Sequence, residues 1–173
     1  IMLDGVFNHV ARTHPWVGEG LAGDTDWEGH GELATLHHAD PAVRDAVVEI
    51  MLHWLRRGIA GWRLDVAYAV PADFWADVLA RVRSEFPDAM FLGEVIHGDY
   101  SSIGKAGSLD AVTQYELWKA TWSSLVDVNF WELAHALERH PVDVLPNTFV
   151  GNHDVDRIAS KVGPEKAVLA AAV

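Results

Sequence analysis

Short apolar runs alternate with longer amphipathic stretches along this chain. Residues 1–7, 59–66, 89–95, 109–113 and 145–150 form runs too short for a typical helix, each followed by polar or glycine-containing residues, and they read as strands. The stretch 41–57 follows Asp40, a good N-cap with Pro41 at the first helical position, and stops at Gly58. The stretch 71–86 ends before Pro87, which cannot continue a helix. Residues 116–126, 130–139 and 164–173 complete the predicted helices. Strand-then-helix alternation predicts an α/β fold on a parallel sheet. One connection breaks the rhythm. From His9 to Asp40 there is only a polar stretch of Gly, Asp, His and Trp, and a loop of that length is expected to be functional or to form a small subdomain.

Ile1-Met2-Leu3 opens the chain as an apolar run, and residues 165–173 close it on a helix pattern with no stop signal. Both ends read as lying inside secondary structure, which predicts a piece of a longer protein. Half of the 173 residues are hydrophobic and 22% are charged, a globular composition. The 13 basic against 25 acidic residues give a net charge of −12, which repels phosphate backbones and anionic lipid. Neither nucleic acid nor a membrane is therefore expected as a partner, and the longest apolar runs fall far short of the roughly 18 residues that span a bilayer. The lack of cysteine excludes disulfides, thiolate metal sites and a cysteine nucleophile, and leaves the compartment open.

Polar residues gather where four of the strand-like runs end. These are Asp4-Gly5-Val6-Phe7-Asn8-His9, Gly61-Trp62-Arg63-Leu64-Asp65, Phe91-Leu92-Gly93-Glu94 and Phe149-Val150-Gly151-Asn152-His153-Asp154. A single strand-end carboxylate commonly caps the next helix or pairs with arginine. Clusters on four of the five runs fit instead the α/β-barrel rule, in which catalytic residues come from the C-terminal ends of several strands. Three carboxylates with an arginine and two histidines suggest acid/base or covalent carboxylate chemistry, as in a retaining glycosidase. Arg63 lies two residues before Asp65, so both side chains share one face of a strand, and the guanidinium favours an ionised, nucleophilic Asp65. The apolar residues before Glu94 predict an apolar setting that favours its protonated form, as a general acid requires.

These four segments resemble, in order and separation, four sequence regions of the α-amylase family, glycoside hydrolase family 13. Leu33-Ala34-Thr35-Leu36-His37 echoes a fifth. The resemblance covers essentially the whole chain and implies a partial TIM (β/α)8 barrel, from about the third strand to the helix after the seventh. Residues 10–40 would be a short version of the subdomain inserted after the third strand, within one incomplete catalytic domain over 1–173. By the same resemblance Asp65 matches the nucleophile, Glu94 the general acid/base and Asp154 the third carboxylate that holds sugar hydroxyls. Arg63 matches the arginine that orients the nucleophile, and His9 and His153 match histidines that bond the sugar at the cleavage point. Asp4 matches a supporting carboxylate. The implied activity is retaining hydrolysis of α-1,4-linked glucans or maltooligosaccharides by double displacement. An α-1,6-glucosidase, a disaccharide-transforming enzyme or a non-catalytic glucan binder are the alternatives.

Two departures bear on cofactor and subfamily. Tyr68-Ala69 stands where many relatives have Lys-His, whose histidine contributes to a calcium site. Asn8 occupies another calcium-ligand position, so no cofactor is required by this reading and calcium rests on Asn8 alone. Gly-Trp-Arg-Leu-Asp-Val-Ala is closest to the neopullulanase and cyclomaltodextrinase side of the family. A metal-hydrolase reading of the ten histidines finds no His-x-His or Glu-x-x-His cluster to support it. Of the eight tryptophans, Trp54, Trp75, Trp118 and Trp131 fall in amphipathic helices and are expected in the core. Trp16, Trp27 and Trp62 are the candidates to stack on sugar rings.

Overall fold

The computed structural model describes residues 1–23, 25–139 and 143–173. Five parallel strands form one sheet in the order β1 (Met2–Gly5), β4 (Gly61–Leu64), β5 (Met90–Gly93), β6 (Ala111–Thr113) and β7 (Leu145–Asn147). Each strand pairs with the next strand of the same sheet, as parallel neighbours joined by crossovers do in an arc of a βα barrel. All five coincide with runs expected to be strands, and each is shorter than its run. Helices fill the connections: α2 (Pro41–Leu55), α3 (Ala72–Glu85), α5 (Tyr115–Asp127), α6 (Trp131–Glu138) and α8 (Pro164–Ala170) lie where periodicity predicted them. Asp40 caps α2 by accepting from the Ala42 amide at 2.8 Å. Three shorter helices carry too little periodicity to be read from sequence: α1 (Pro15–Gly18), α4 (Tyr100–Ala106) and α7 (Ile158–Val162). Among the described residues no helix is long and apolar enough to cross a membrane.

The segment after β1, read from sequence as a polar loop or short subdomain, contains paired strands. β2 (His9–Ala11) and β3 (Leu33–Thr35) pair antiparallel, with His9 opposite Thr35 and Ala11 opposite Leu33. Ala22 bridges to Leu36, and Ala22, Ala34 and Leu36 are buried. The segment thus carries a small hairpin with its own apolar contacts; Asp24 within it lies outside the described residues. Strands of three residues, paired across more than twenty others, leave no local pattern to read.

The core lies between the sheet and its helices. Val43, Val47, Met51 and Leu55 of α2 and Phe74, Trp75, Val78, Leu79 and Val82 of α3 are buried against Trp62, Leu64 and Phe91. Asp110 ties β5 to α3: its carboxylate accepts from Arg83 at 2.9 Å through both oxygens and from the Phe91 amide at 2.8 Å. Trp75 is buried as expected, but Trp54 is 42% and Trp131 84% exposed. The α6 helix buries no residue: Glu132 ties it to Lys119 and Ser123 of α5, but Trp131 faces away from that contact.

Close strand approach makes one glycine indispensable. A Cβ on Gly61 would be driven into the carbonyl group of Met90 on the neighbouring strand, backbone against backbone. Neither strand can yield without losing ladder hydrogen bonds. We expect Gly61→Ala to destabilise the protein by at least about 3 kcal/mol, the upper end of overpacking costs. An unchanged urea-melting midpoint would contradict this packing.

Candidate active site

Four strands deliver their polar residues to one guanidinium. Arg63 on β4 is the register partner of Asp4 on β1, and in a parallel ladder such partners face the same way. Asp65, two residues on, returns to that face. Arg63 Nη1 donates to Asp4 Oδ1 at 2.9 Å and to Asp65 Oδ1 at 2.5 Å. Its Nη2 lies 2.7 Å from Glu94 Oε1 and 4.0 Å from Asp154 Oδ2. The planar fork of arginine, with its fixed donor directions, suits this divided role. Burial alone would lower the Arg63 pKa, but Glu94, Asp65 and Asp4 outweigh it and the net shift is upward.

Glu94 is held more tightly than the others, with its side chain 5% exposed. The β5–β6 ladder is continued past Gly93 by Thr113, whose hydroxyl accepts from the Val95 amide at 2.8 Å and pins the chain just after Glu94. The Val66 amide donates to Glu94 Oε2 at 2.9 Å. Val66 adopts φ 40°, a left-handed conformation that a β-branched residue rarely takes. That strain directly follows Asp65 and turns the amide toward Glu94. The Tyr115 hydroxyl donates to Glu94 Oε1 at 3.1 Å. The apolar setting expected from Phe91-Leu92-Gly93 is therefore corrected: the Glu94 backbone leaves an apolar strand, but its carboxylate meets two hydrogen-bond donors and the Arg63 cation.

His9 begins β2 and stacks on Trp27, with ring centroids 5.9 Å apart and planes 16° from parallel. Asn8 Nδ2 lies 3.2 Å from His9 Nδ1. An amide nitrogen can only donate, so Nδ1 accepts and the ring proton sits on Nε2. Burial lowers the His9 pKa and so favours the neutral ring, against the opposing pull of the Asp65 carboxylate. His153 is largely exposed, and its Nε2 lies 3.2 Å from Asp154 Oδ2. The structure thus brings Asp65, Glu94, Asp154 and Arg63 together, with His153 beside Asp154.

Two expected site residues are corrected. Trp62 does not face the cleft: it is 3% exposed, and its indole packs 5.7 Å from the Phe7 ring on the helix side of the sheet. Strand alternation requires this, because its neighbour Arg63 occupies the cleft face. Trp27, by its stack on His9, is the tryptophan that adjoins the site, whereas Trp16 packs partly buried against the core. Asn8 is 1% exposed and its side-chain amide is engaged with His9. Among the described residues no group of three His, Cys, Asp or Glu is placed to hold a metal ion. Among the described residues Asn8, with its amide engaged by His9, does not by itself supply the six to eight oxygen ligands that calcium takes.

Tyr115 was missed by sequence reasoning. The same strand-end rule that exposed the other clusters applies to Gln114-Tyr115-Glu116, which directly follow β6. Its phenol is pushed up to about 12 by burial and by the nearby Glu94 charge, against the Asn152 hydrogen bond that works the other way.

A family model described as alpha amylase, catalytic domain, matches residues 27–173, a span that includes Arg63, Asp65, Glu94 and Asp154 and leaves out Asn8 and His9. A cyclomaltodextrinase of Geobacillus thermopakistaniensis is 30% identical over 141 residues, covering 76% of this chain and 24% of that protein. The intracellular maltogenic amylase of Bacillus subtilis is 34% identical over 119 residues, 56% of this chain and 20% of that one. The chain thus spans about a quarter or less of the length of these relatives. Among solved structures, a cyclomaltodextrinase superposes with TM-score 0.82 at 27% identity, covering 97% of this chain and 35% of its own. The ligand-free cyclic α-maltosyl-(1→6)-maltose hydrolase of Arthrobacter globiformis does so with TM-score 0.83 at 19% identity, covering 98% and 46%, a likeness of fold alone.

Proposed function

We propose, from the premise that this chain belongs to the α-amylase catalytic-domain family, that it carries the catalytic centre of a retaining α-glycosidase acting on α-1,4-linked maltooligosaccharides. The observation that carries this reading is the gathering of Asp65, Glu94 and Asp154 around the single guanidinium of Arg63. Two carboxylates held against the two Nη atoms of one planar group fit the separation of about 5–5.5 Å at which a nucleophile and an acid work by retention. In the first step an Asp65 oxygen attacks the anomeric carbon. The bond from that carbon to the glycosidic oxygen breaks, and Glu94 gives its proton to the departing oxygen. In the second step Glu94 takes a proton from water, whose oxygen attacks the same carbon and releases Asp65.

Arg63 holds Asp65 in line, and Asp154, half-exposed beside His153, is the carboxylate available to sugar hydroxyls. His9, with its proton on Nε2, is a neutral donor next to Asp65. The relatives named for cyclomaltodextrin and maltogenic activity favour α-1,4-linked glucans, linear or cyclic, as substrate. Retention is tested on the full-length protein by NMR of the first anomer formed from maltoheptaose. α-Maltooligosaccharide is the expected product, and an initial β-anomer would overturn the mechanism. A parallel digest of β-cyclodextrin and isomaltose tests linkage: cleavage of isomaltose alone would overturn the α-1,4 assignment.

A further inference from the structure

We infer that Tyr115 is a positioning residue for the acid/base, the centre of a hydrogen-bond relay from Asn152 through the Tyr115 hydroxyl to Glu94. The inference rests on the reading of Glu94 as the proton donor. Asn152 Nδ2 lies 2.7 Å from the Tyr115 hydroxyl, which in turn lies 3.1 Å from Glu94 Oε1. The Asn152 Oδ1 accepts from the Asp154 amide at 3.0 Å, which fixes which end of the carboxamide faces Tyr115. Direction follows from valence. The amide nitrogen can only donate, so the hydroxyl accepts from it and its one proton is left for Glu94. The phenol, pushed up to about 12, keeps that proton throughout the range in which a glycosidase works.

The relay also decides where the catalytic proton resides. Oε1 of Glu94 accepts from the Tyr115 hydroxyl and lies 2.7 Å from the cationic Arg63 Nη2. Oε2 accepts only from the Val66 amide. With the guanidinium and the phenol both against Oε1, the proton is held on Oε2, and that is the atom from which it passes to the glycosidic oxygen. The Tyr115 ring is 8% exposed and packs edge-on against Phe149 with centroids 4.9 Å apart, so the hydroxyl is aimed by packing rather than by its own hydrogen bonds. Phe149 and Asn152 both lie on the segment that leads to Asp154. The acid and the third carboxylate are thereby set relative to each other through one phenol.

Tyr115→Phe in the full-length protein removes the hydroxyl and keeps the ring. A donor to the carboxylate is lost, which favours the protonated acid. The alkaline limb of kcat/KM on maltoheptaose is expected to move up by roughly 0.5–1 pH unit. The value of kcat on that substrate is expected to fall about tenfold, a fraction of the whole contribution of general acid catalysis. On 4-nitrophenyl α-maltoside, whose leaving group needs little protonation, the loss is expected to be no more than about threefold. Asn152→Ala, which leaves the phenol in place but unsupported, is expected to shift the limb in the same direction by a smaller amount. It keeps the inference open to test if Tyr115→Phe does not fold, as judged by circular-dichroism melting. An unmoved limb with equal losses on both substrates, in whichever variant folds, would overturn the relay. Glu94→Gln is the reference: if it still hydrolysed maltoheptaose, the acid assignment itself would fall. If it were inactive while the limb of the Tyr115 variant stayed in place, only the relay would fall.

Discussion

Asp65→Asn reduces kcat on maltoheptaose by at least about 10⁴-fold while changing affinity by no more than a few-fold, if Asp65 is the nucleophile. The substitution is nearly isosteric, and its Oδ1 can still accept from Arg63 Nη1, which now reaches Asp65 at 2.5 Å. The ground-state site is therefore preserved. What disappears is the anionic oxygen that bonds to the anomeric carbon, a contact made only as the reaction proceeds. The expected loss corresponds to more than about 5 kcal/mol of transition-state stabilisation. Isothermal titration of the variant with maltoheptaose, alongside single-turnover kinetics, separates the two quantities. Hydrolysis surviving at one-tenth of the original rate would show that another group attacks the sugar.

Arg63→Lys should be the most damaging conservative change outside the carboxylates. A guanidinium offers separate Nη atoms to Asp65 and Glu94 at 2.5 and 2.7 Å, whereas an ammonium is a single point on a flexible stem. Lysine can hold one of the two and leaves the other to repulsion. Asp4 and Asp154 are half-exposed and contribute little to the cost, since surface ion pairs are worth about 0–1 kcal/mol. Glu94 is nearly buried, and removing the partner of a buried charge costs about 3–5 kcal/mol. We expect kcat/KM to fall by about 10²–10³-fold and the folding free energy to drop by about 3 kcal/mol, the lower end because lysine retains the charge. Urea melting and steady-state kinetics check the pair. A variant with normal stability and activity would mean that the four contacts of Arg63 are incidental.

The parts of the fold legible in sequence are those whose cause is local. Asp40 before Pro41 sets the start of α2, Pro87 stops α3, and the apolar runs of the five sheet strands lie between such signals. The β2–β3 hairpin has no such cause, because its pairing depends on the chain returning from His9 to Thr35. The exposure of Trp131 is likewise a tertiary fact: the period of α6 defines an apolar face, and nothing in the sequence says whether anything packs on it.

The site was more legible than its surroundings. Asp4, Arg63, Asp65, Glu94 and Asp154 stand where strands end, and strand periodicity already set Arg63 and Asp65 on one face. The same periodicity placed Trp62 on the other, so its assignment to the cleft contradicted information in the sequence itself. The donors around Glu94 were harder to foresee, since the Val66 amide turns only because the backbone there is left-handed. Tyr115 required one more application of the strand-end rule.

The sheet order has a consequence for synthesis. Every sheet strand pairs with the sheet strand that precedes it in the chain, so each βα unit can dock as it leaves the ribosome. Asp4, Arg63 and Asp65 are then present before Glu94, and Asp154 arrives last, several seconds later at about 5–20 residues per second. Until β5 docks, the guanidinium has Asp4 and Asp65 on Nη1 while its Nη2, the partner of Glu94, faces the growing edge of the nascent sheet. The final strand brings Asp154 and Asn152 together, so the third carboxylate and the support for Tyr115 arrive in a single step.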